Sequence, residues 1–450
     1  MNHTSSSERT PLLTTVIQNS NPNSQAAQQA SSSVETGGDH HGHAAAYNPR
    51  VAISSILALL FSLGLVIFGV FYIERLPNDP ERAAIKILEK TPLIDGHIDS
   101  LDLPIMVRMH YRNNISQFDM NKAMEYHVDI PRLRQGKVGG YFWSVFVECA
   151  DSGPDFLMPT NRVRDTLEQI DVSTLLIEKY ADTFALATSV KEIEQATRVR
   201  KIASLIGVEG AHQLGNSLAV LRQYYRLGAR YMTLTHSCNN AFADSAGIFE
   251  PVPATHGGLS PLGKELIQEM NRIGMLVDLS HTSDDTAVQA IQLSRAPVMW
   301  SHSSVRALRG ISRNVPDHIL EMIGTGKGQK DGVVMVNLYP RFLVENGGNA
   351  TLYTVADHIE HIAKVAGRAH VGIGSDFDGI EIVPDGLEDV SKYPALFAEL
   401  LRRGWSRAEL EGLASRNFLR VFREVEEVSR EMQGRISPSM MLYDKRDPTD

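Results

Sequence analysis

Met275-Leu276-Val277-Asp278-Leu279-Ser280-His281 and, a helix's length further on, Pro297-Val298-Met299-Trp300-Ser301-His302 are short apolar runs that each close on a histidine. Runs of this kind, separated by amphipathic stretches, are the pattern of strands buried on both faces and joined by helices. Working outward, the pattern recurs at Leu93–His97, Tyr141–Val147, Ser204–Glu209, Tyr231–His236, Val333–Leu338 and Val371–Asp376. Helical periodicity falls between most of them, as at Ser217–Leu227 and Pro261–Ile273, and Arg407–Val428 also reads as helix. Eight strands within residues 80–430 predict an α/β fold, a (β/α)8 TIM-type barrel. A doubly wound open sheet is the alternative. It would carry a glycine-rich phosphate turn after its first strand, and none is present.

Residues 1–48 are rich in Ser, Asn, Gln and Thr and cannot bury enough surface to offset chain entropy, which predicts a disordered tail. The Asp39-His40-His41-Gly42-His43 run within it reads as solvated polar chain rather than a metal site. Val51–Ile73 is an uncharged apolar run that as a helix spans roughly 34 Å, and it reads as a transmembrane signal anchor. Glu8-Arg9-Thr10-Pro11-Leu12-Leu13 resembles an acidic dileucine sorting signal, and N-x-S/T acceptors stand at Asn114 and Asn349. Both features favour a single-pass type II protein with its tail in the cytosol and its catalytic domain extracellular or lumenal. The membrane would be plasma, endosomal or vacuolar, and Asn114 and Asn349 would be glycosylated. In such a compartment Cys149 and Cys238, the only two cysteines, are expected to pair rather than to remain buried thiols. Residues 431–450 follow the barrel as a C-terminal tail. A net charge of -9 argues against a nucleic-acid partner.

What ends the strands carries the chemistry. The first closes on His97-Ile98-Asp99, the third on Glu209, the fourth on His236, the fifth on His281, the sixth on His302 and the eighth on Asp376. The C-terminal ends of barrel strands share one mouth, so residues from both ends of the domain converge there. Sixteen histidines scattered at random would mean little; a group of them at strand ends beside Asp99, Glu209 and Asp376 is a pattern. Nitrogen and oxygen donors in this mix suit zinc. His97 and Asp99 could serve one ion, Glu209 could offer an oxygen to each of two, and His281 with His302 could complete the second site. Two metals sharing a water lower its pKa towards neutrality and polarise a carbonyl, which is machinery for amide hydrolysis.

On these segments the chain resembles the membrane (renal-type) dipeptidase family, zinc metallodipeptidases of the amidohydrolase-like barrel group. The matching motifs are Ile94-Asp95-Gly96-His97-Ile98-Asp99, Gly207-Val208-Glu209-Gly210, Leu234-Thr235-His236-Ser237-Cys238-Asn239 and Asp278-Leu279-Ser280-His281. Ser301-His302-Ser303-Ser304, Ser312-Arg313-Asn314-Val315-Pro316-Asp317 and Gly374-Ser375-Asp376-Phe377-Asp378-Gly379 complete them, within residues 85–425. The resemblance implies two zinc ions per chain, His97 and Asp99 on one, His281 and His302 on the other, with Glu209 bridging. It implies that His236 contacts the substrate carbonyl and steadies the oxyanion, and that Arg313 holds the substrate's carboxylate. Asp376 would bind the substrate amine and pass the proton to the leaving nitrogen. Substrates would then be dipeptides, captured at both termini. Asp378, Arg306 and Arg309 have similar chemistry to Asp376 and Arg313, and motif position alone sets them aside.

The resemblance also implies a joined Cys149–Cys238 pair and a homodimer. Phe242 and Ile105 depart from it, standing where many relatives carry Trp. The mammalian members use a C-terminal lipid anchor, whereas this chain ends Leu442-Tyr443-Asp444-Lys445-Arg446-Asp447 without an apolar run before it, so the N-terminal helix is the expected anchor. His212, close to Glu209, receives no role. Two other functions compete: a related amidohydrolase acting on another small amide, and a non-catalytic membrane receptor that keeps the barrel. The first commonly has His-x-His where this chain has His-x-Asp. The second usually lacks a ligand, and here all five are present.

Overall fold

The computed structural model describes residues 49–99, 115, 119–149, 153, 155–157 and 161–445. The predicted tail, its dileucine-like run, Ile105 and Asn114 lie outside the described residues. The chain divides into two units, Met1–Arg75 and Leu76–Asp450. In the first, Pro49–Glu74 is a helix over the predicted apolar run, with Ile53, Leu57, Leu60 and Phe61 exposed. The side chains of residues 66–74 are outside the described set. Among the described residues no helix is long and apolar enough to cross a membrane.

The second unit is a closed barrel. Its strands are β1 (Leu93–Ile98), β2 (Val138–Val145), β3 (Phe184–Leu186), β4 (Ile202–Val208), β5 (Ala229–Thr233), β6 (Leu276–Asp278), β7 (Val298–Trp300), β8 (Gly332–Val336) and β9 (Val371–Ile373). The ring runs β2-β1-β9-β8-β7-β6-β5-β4 and shuts by pairing β2 with β4, every pair being parallel. All eight predicted strands are in it. The ninth, β3, was not foreseen; it occupies the edge of β4 at Ile202–Ser204, below the stretch that meets β5. Three residues are too few to show a period.

The predicted strand ends need one correction. β5 stops at Thr233, β6 at Asp278, β7 at Trp300 and β9 at Ile373, so His236, His281, His302 and Asp376 stand on the loops that follow. Two of them cannot extend a strand, because His281 (φ 65°) and Asp376 (φ 67°) are left-handed.

Alternate strand residues face opposite sides. Ile94, Phe142, Leu205, Tyr231, Leu276, Met299, Val333 and Met335 pack together as one buried cluster within the ring. Their sequence neighbours Leu93, Tyr141, Ile206, Met232, Val277, Val298 and Val334 belong to the layer beneath the outer helices. Phe418 and Phe422 of the last helix join the inner cluster and close the N-terminal end, with the Phe418 ring edge-on to Phe142 at 5.6 Å. Each fully buried Phe contributes roughly 1.5–3 kcal/mol. The helix predicted at Arg407–Val428 is three pieces: Arg407–Glu411, a π-helical turn Gly412–Arg416, and Asn417–Gln433. Beyond it the chain folds back, and the buried Tyr443 donates its hydroxyl to the Asp155 carbonyl at 2.6 Å.

Arg420 of that last helix forks onto Asp331, just ahead of β8, with contacts of 2.8 and 3.0 Å. Burial alone would raise the Asp331 carboxyl, but hydrogen bonds from His370 and Arg420 outweigh it and hold the group well below the usual carboxylate range. A depressed pKa stabilises the fold above the unfolded-state value, near 4, and that contribution disappears as pH falls through the folded value. Asp331→Asn is expected to cost about 2 kcal/mol at pH 7. In urea titrations its deficit against wild type should shrink steadily below about pH 4; a deficit independent of pH would show that the ion pair contributes nothing.

Candidate metal centre

At the C-terminal mouth His97, Asp99, His281 and His302 meet around Glu209, which follows β4. Its Oε1 lies 3.1 Å from His281 Nε2 and 3.3 Å from His302 Nε2. Its Oε2 lies 3.7 Å from His97 Nε2, which in turn is 3.4 Å from Asp99 Oδ2. One carboxylate thus turns an oxygen to each of two donor groups. His97, Asp99 and Glu209 form one potential metal-holding set and Glu209, His281 and His302 another; His97, His302 and Asp376 form a third, overlapping set.

Two of the histidines, His302 and His97, are held by their other nitrogens, whereas His281 Nδ1 is buried without a partner among the described residues. Ser301 Oγ donates its one hydrogen to Asp278 Oδ2 at 2.7 Å, so at 2.8 Å it accepts from His302 Nδ1. The proton is thereby fixed on Nδ1 and the Nε2 lone pair faces Glu209, the usual arrangement behind a metal-binding imidazole. Tyr231 holds His97 Nδ1 at 2.7 Å. Gly207 makes room for that phenol, since a Cβ there would sit 2.0 Å from the Tyr231 ring. The fit to a cation is direct: His97 Nε2 is buried without a hydrogen-bond partner among the described residues, and His281 and His302 bring their Nε2 atoms within 3.0 Å of each other. Buried polar atoms left so are rare unless something binds them.

Electrostatics point the same way. Burial would lower His97, yet Glu209 and Asp99 pull it up to about 10. Burial pushes Glu209 up to about 8 and Asp376 up to about 7, His97 opposing both and Asp99 adding to both. His236, His281 and His302 are driven well below the ordinary imidazole range, chiefly by burial and then by neighbouring cationic groups. Crowded carboxylates beside neutral imidazoles are a site built for positive charge.

A model of the membrane dipeptidase family (peptidase family M19) matches residues 81–435. The chain belongs to that family. An uncharacterized dipeptidase of Schizosaccharomyces pombe is 46% identical over 359 residues, 78% of this chain and 84% of its own. Dipeptidase aclJ of Aspergillus oryzae is 42% identical over 391 residues, 83% of this chain and 90% of its own. A solved metallo peptidase of Rhodobacter sphaeroides, liganded with a phosphinate mimic of the dipeptide L-Ala-D-Ala, is 25% identical. It superposes with a TM-score of 0.63 over 74% of this chain and 99% of its own.

The neighbours of similar chemistry differ in their surroundings, although Asp376 and Asp378 both line the mouth cavity and Arg313 does not. Asp376 Oδ1 faces His97 Nε2 at 3.9 Å, and its Oδ2 accepts from Asn337 Nδ2 at 2.8 Å. Asp378 instead accepts the His127 backbone N–H at 2.8 Å, while its own N–H donates to His127 Nδ1 at 3.0 Å. Arg306 is committed to Asp284 through contacts of 2.6 and 2.7 Å, and Arg309 to Glu345. Arg313 is buried behind the mouth, donating to Ser303 Oγ at 2.7 Å and to the His302 carbonyl at 2.8 Å, with its Nε unpartnered among the described residues. His236 Nε2 stands 3.7 Å from Glu209 Oε1.

Cys149 and Cys238 form a disulfide, tying the segment after β2 to the loop that carries His236. His212 also braces that region: its Nε2 donates to the Val147 carbonyl at 2.6 Å, and burial drops its pKa to about 4, which keeps it neutral. Phe242 is core, with no place on the cavity wall. The cavity itself, about 380 Å³, is walled opposite the ligands by Phe249, Tyr339, Phe342, Ile380 and Glu381. The sequence does not single these out: Asn337 and Tyr339 stand just past β8, as the histidines stand past their strands, but their residue types carry no metal-binding signal.

Proposed function

We propose that this dipeptidase holds two zinc ions, with His97 and Asp99 on one, His281 and His302 on the other, and one oxygen of Glu209 to each. The observation that carries the reading is that the two Glu209 oxygens face different histidine groups. When bound, such a pair supplies Lewis acidity and a water that ionises near neutral pH. The phosphinate mimic of a dipeptide in the Rhodobacter sphaeroides relative supports a dipeptide as the occupant of the cavity here.

The chain's own residues do the rest. His236, kept neutral by burial, donates a hydrogen bond to the carbonyl oxygen as it gains charge. Asp376 takes the substrate amine and passes a proton to the leaving nitrogen. Arg313 takes the substrate carboxylate through its planar guanidinium. Holding both termini limits the substrate to two residues. Arg313→Ala is expected to lower kcat/KM about 10²-fold, mainly through KM. Steady-state kinetics on a dipeptide and its carboxyl-amidated form check it: the variant should no longer discriminate between them, and unchanged discrimination would remove Arg313 from that role.

The domain is read as extracellular or lumenal, supported by the disulfide and by the exposed Asn349. The apolar run Val51–Ile73 is read as its membrane attachment from the sequence and from the exposed apolar side chains between Val51 and Leu65, the described residues by themselves not making a span.

Zinc content and dipeptide hydrolysis of the full chain, before and after chelation, test the proposal. Two zinc ions per chain, with turnover lost on chelation and restored by zinc, are the expected result. Full metal occupancy without cleavage across a broad dipeptide panel would overturn it.

A further inference from the structure

Two fully buried aspartates stand behind the residues gathered around Glu209, and neither lines the mouth cavity. Asp95 lies in β1, two residues before His97, and Asp278 ends β6, three before His281. Their first oxygens are used alike. Asp95 Oδ1 accepts the His97 N–H at 3.0 Å and, from the chain just past β9, the Ser375 N–H at 2.9 Å. Asp278 Oδ1 accepts the Ser280 N–H at 3.2 Å and, from the chain just past β7, the Ser301 N–H at 2.7 Å. Each carboxylate therefore ties its own loop to that of the adjoining strand.

The two part at the second oxygen. Asp95 Oδ2 accepts the Tyr393 hydroxyl, and the His97 ring is held from elsewhere, by Tyr231. Asp278 Oδ2 accepts the Thr233 hydroxyl at 2.6 Å and the Ser301 hydroxyl at 2.7 Å. The Ser301 hydroxyl, its one hydrogen so used, accepts from His302 Nδ1 at 2.8 Å. One aspartate is thus linked to a histidine ring through a hydroxyl, and the other to the backbone of its histidine alone.

We propose that Asp278 is a positioning residue which, through Ser301 Oγ, sets the nitrogen of His302 that carries the proton and so the strength of one of the two metal sites, whereas Asp95 only braces the backbone. The inference rests on the two-zinc reading of the centre. Its sharpest consequence concerns Asp278→Asn. The amide oxygen stays beneath the Ser280 and Ser301 N–H groups, which need an acceptor, so the NH2 group takes the place of Oδ2 and donates to Ser301 Oγ. The Ser301 hydrogen is then released. Its nearer acceptor is His302 Nδ1 at 2.8 Å, rather than Ser280 Oγ at 3.4 Å. His302 must carry its proton on Nε2, the nitrogen that faces Glu209, where a metal ligand needs a lone pair. In Asp95→Asn the new NH2 group meets the Tyr393 hydroxyl, which can accept it, and no imidazole is disturbed.

Zinc counted by mass spectrometry on the full, detergent-solubilised chain, equilibrated with chelator-buffered zinc, tests this without reference to turnover. The wild type is expected to hold two ions. Asp278→Asn should keep one at the wild-type level of free zinc and need about 10- to 100-fold more for the other, while Asp95→Asn keeps both. In a Ser301→Ala background Asp278→Asn should add little, because the link to His302 is already gone. Uptake by Asp278→Asn that matches wild type overturns the proposal, as does its full effect persisting in the Ser301→Ala background. An equal loss from Asp95→Asn also overturns it, since bracing of the backbone would then be the cause. Should Asp278→Asn fail to fold, Ser301→Ala decides alone: it leaves the main-chain bonds of Asp278 in place and should weaken one ion by about tenfold or more, and normal uptake overturns the proposal. A wild type that takes up fewer than two ions would sink the two-zinc reading itself, and this inference with it.

Discussion

Glu209→Gln is expected to lower kcat/KM by about 10³-fold or more and to strip the protein of most of its bound metal, while the barrel stays folded. The separation of those two outcomes follows from the surroundings of the side chain. Burial pushes the Glu209 carboxyl up, so the fold gives up little when that buried charge is removed. Gln has nearly the same size, and Ser144 Oγ, 3.4 Å from Oε2, can still meet it. Nothing in the packing is lost. What Gln cannot do is present two anionic oxygens, one towards His97 and Asp99 and one towards His281 and His302. Its amide oxygen can serve one set, and its NH2 group then faces the other as a donor where an acceptor is required. Metal analysis by mass spectrometry, dipeptide turnover and thermal denaturation, run on one preparation, check all three parts. Retention of both zinc and turnover would end the bridging role.

Legibility in the sequence followed the physics of burial. Barrel strands are covered on both faces, so each of the eight reads as an unbroken apolar run. Such a run overstates the strand's end because the apolar character continues into the loop: Leu234 after β5 and Leu279 after β6 are both fully or almost fully buried. The backbone has left the sheet there although the side chains have not left the core. β3 escaped for the opposite reason, since in Phe184–Leu186 only the first residue is buried. The π turn was invisible because Gly412–Arg416 sits between two helical segments with helix-compatible residues, and its register depends on Asn417 reaching the start of β9.

The residues that gather around Glu209 are legible because strand ends, residue type and motif agree on the same positions. Their orienting partners are not. That Ser301 fixes the proton of His302, or that His212 reaches Val147, is a fact about which loops come together, and sequence order does not encode it. The Tyr339 side of the cavity lay hidden because an aromatic residue after a strand is, on composition alone, more simply explained as core.

Asp376→Asn should lower kcat by about 10²- to 10⁴-fold with little loss of zinc or stability, and the local backbone is the reason the test is clean. Asp376 is left-handed (φ 67°), as is Asp378 two residues on (φ 68°), a conformation that costs most residues about 1 kcal/mol or more. Asn tolerates it, so the substitution does not reopen the loop. His127 continues to hold the chain at Asp378 from both sides. What changes is charge and proton capacity. Burial pushes the Asp376 carboxyl up, and a carboxyl at the mouth can both receive and give up a proton. Asn does neither, and it presents no anion to a substrate ammonium. If Asp376 serves the amine, the variant should also lose its preference for free dipeptides over N-acetylated ones. Comparing kcat and KM for a free and an N-acetylated dipeptide in both proteins decides this. A variant that still rejects the acetylated substrate as strongly as wild type would move amine recognition to another group.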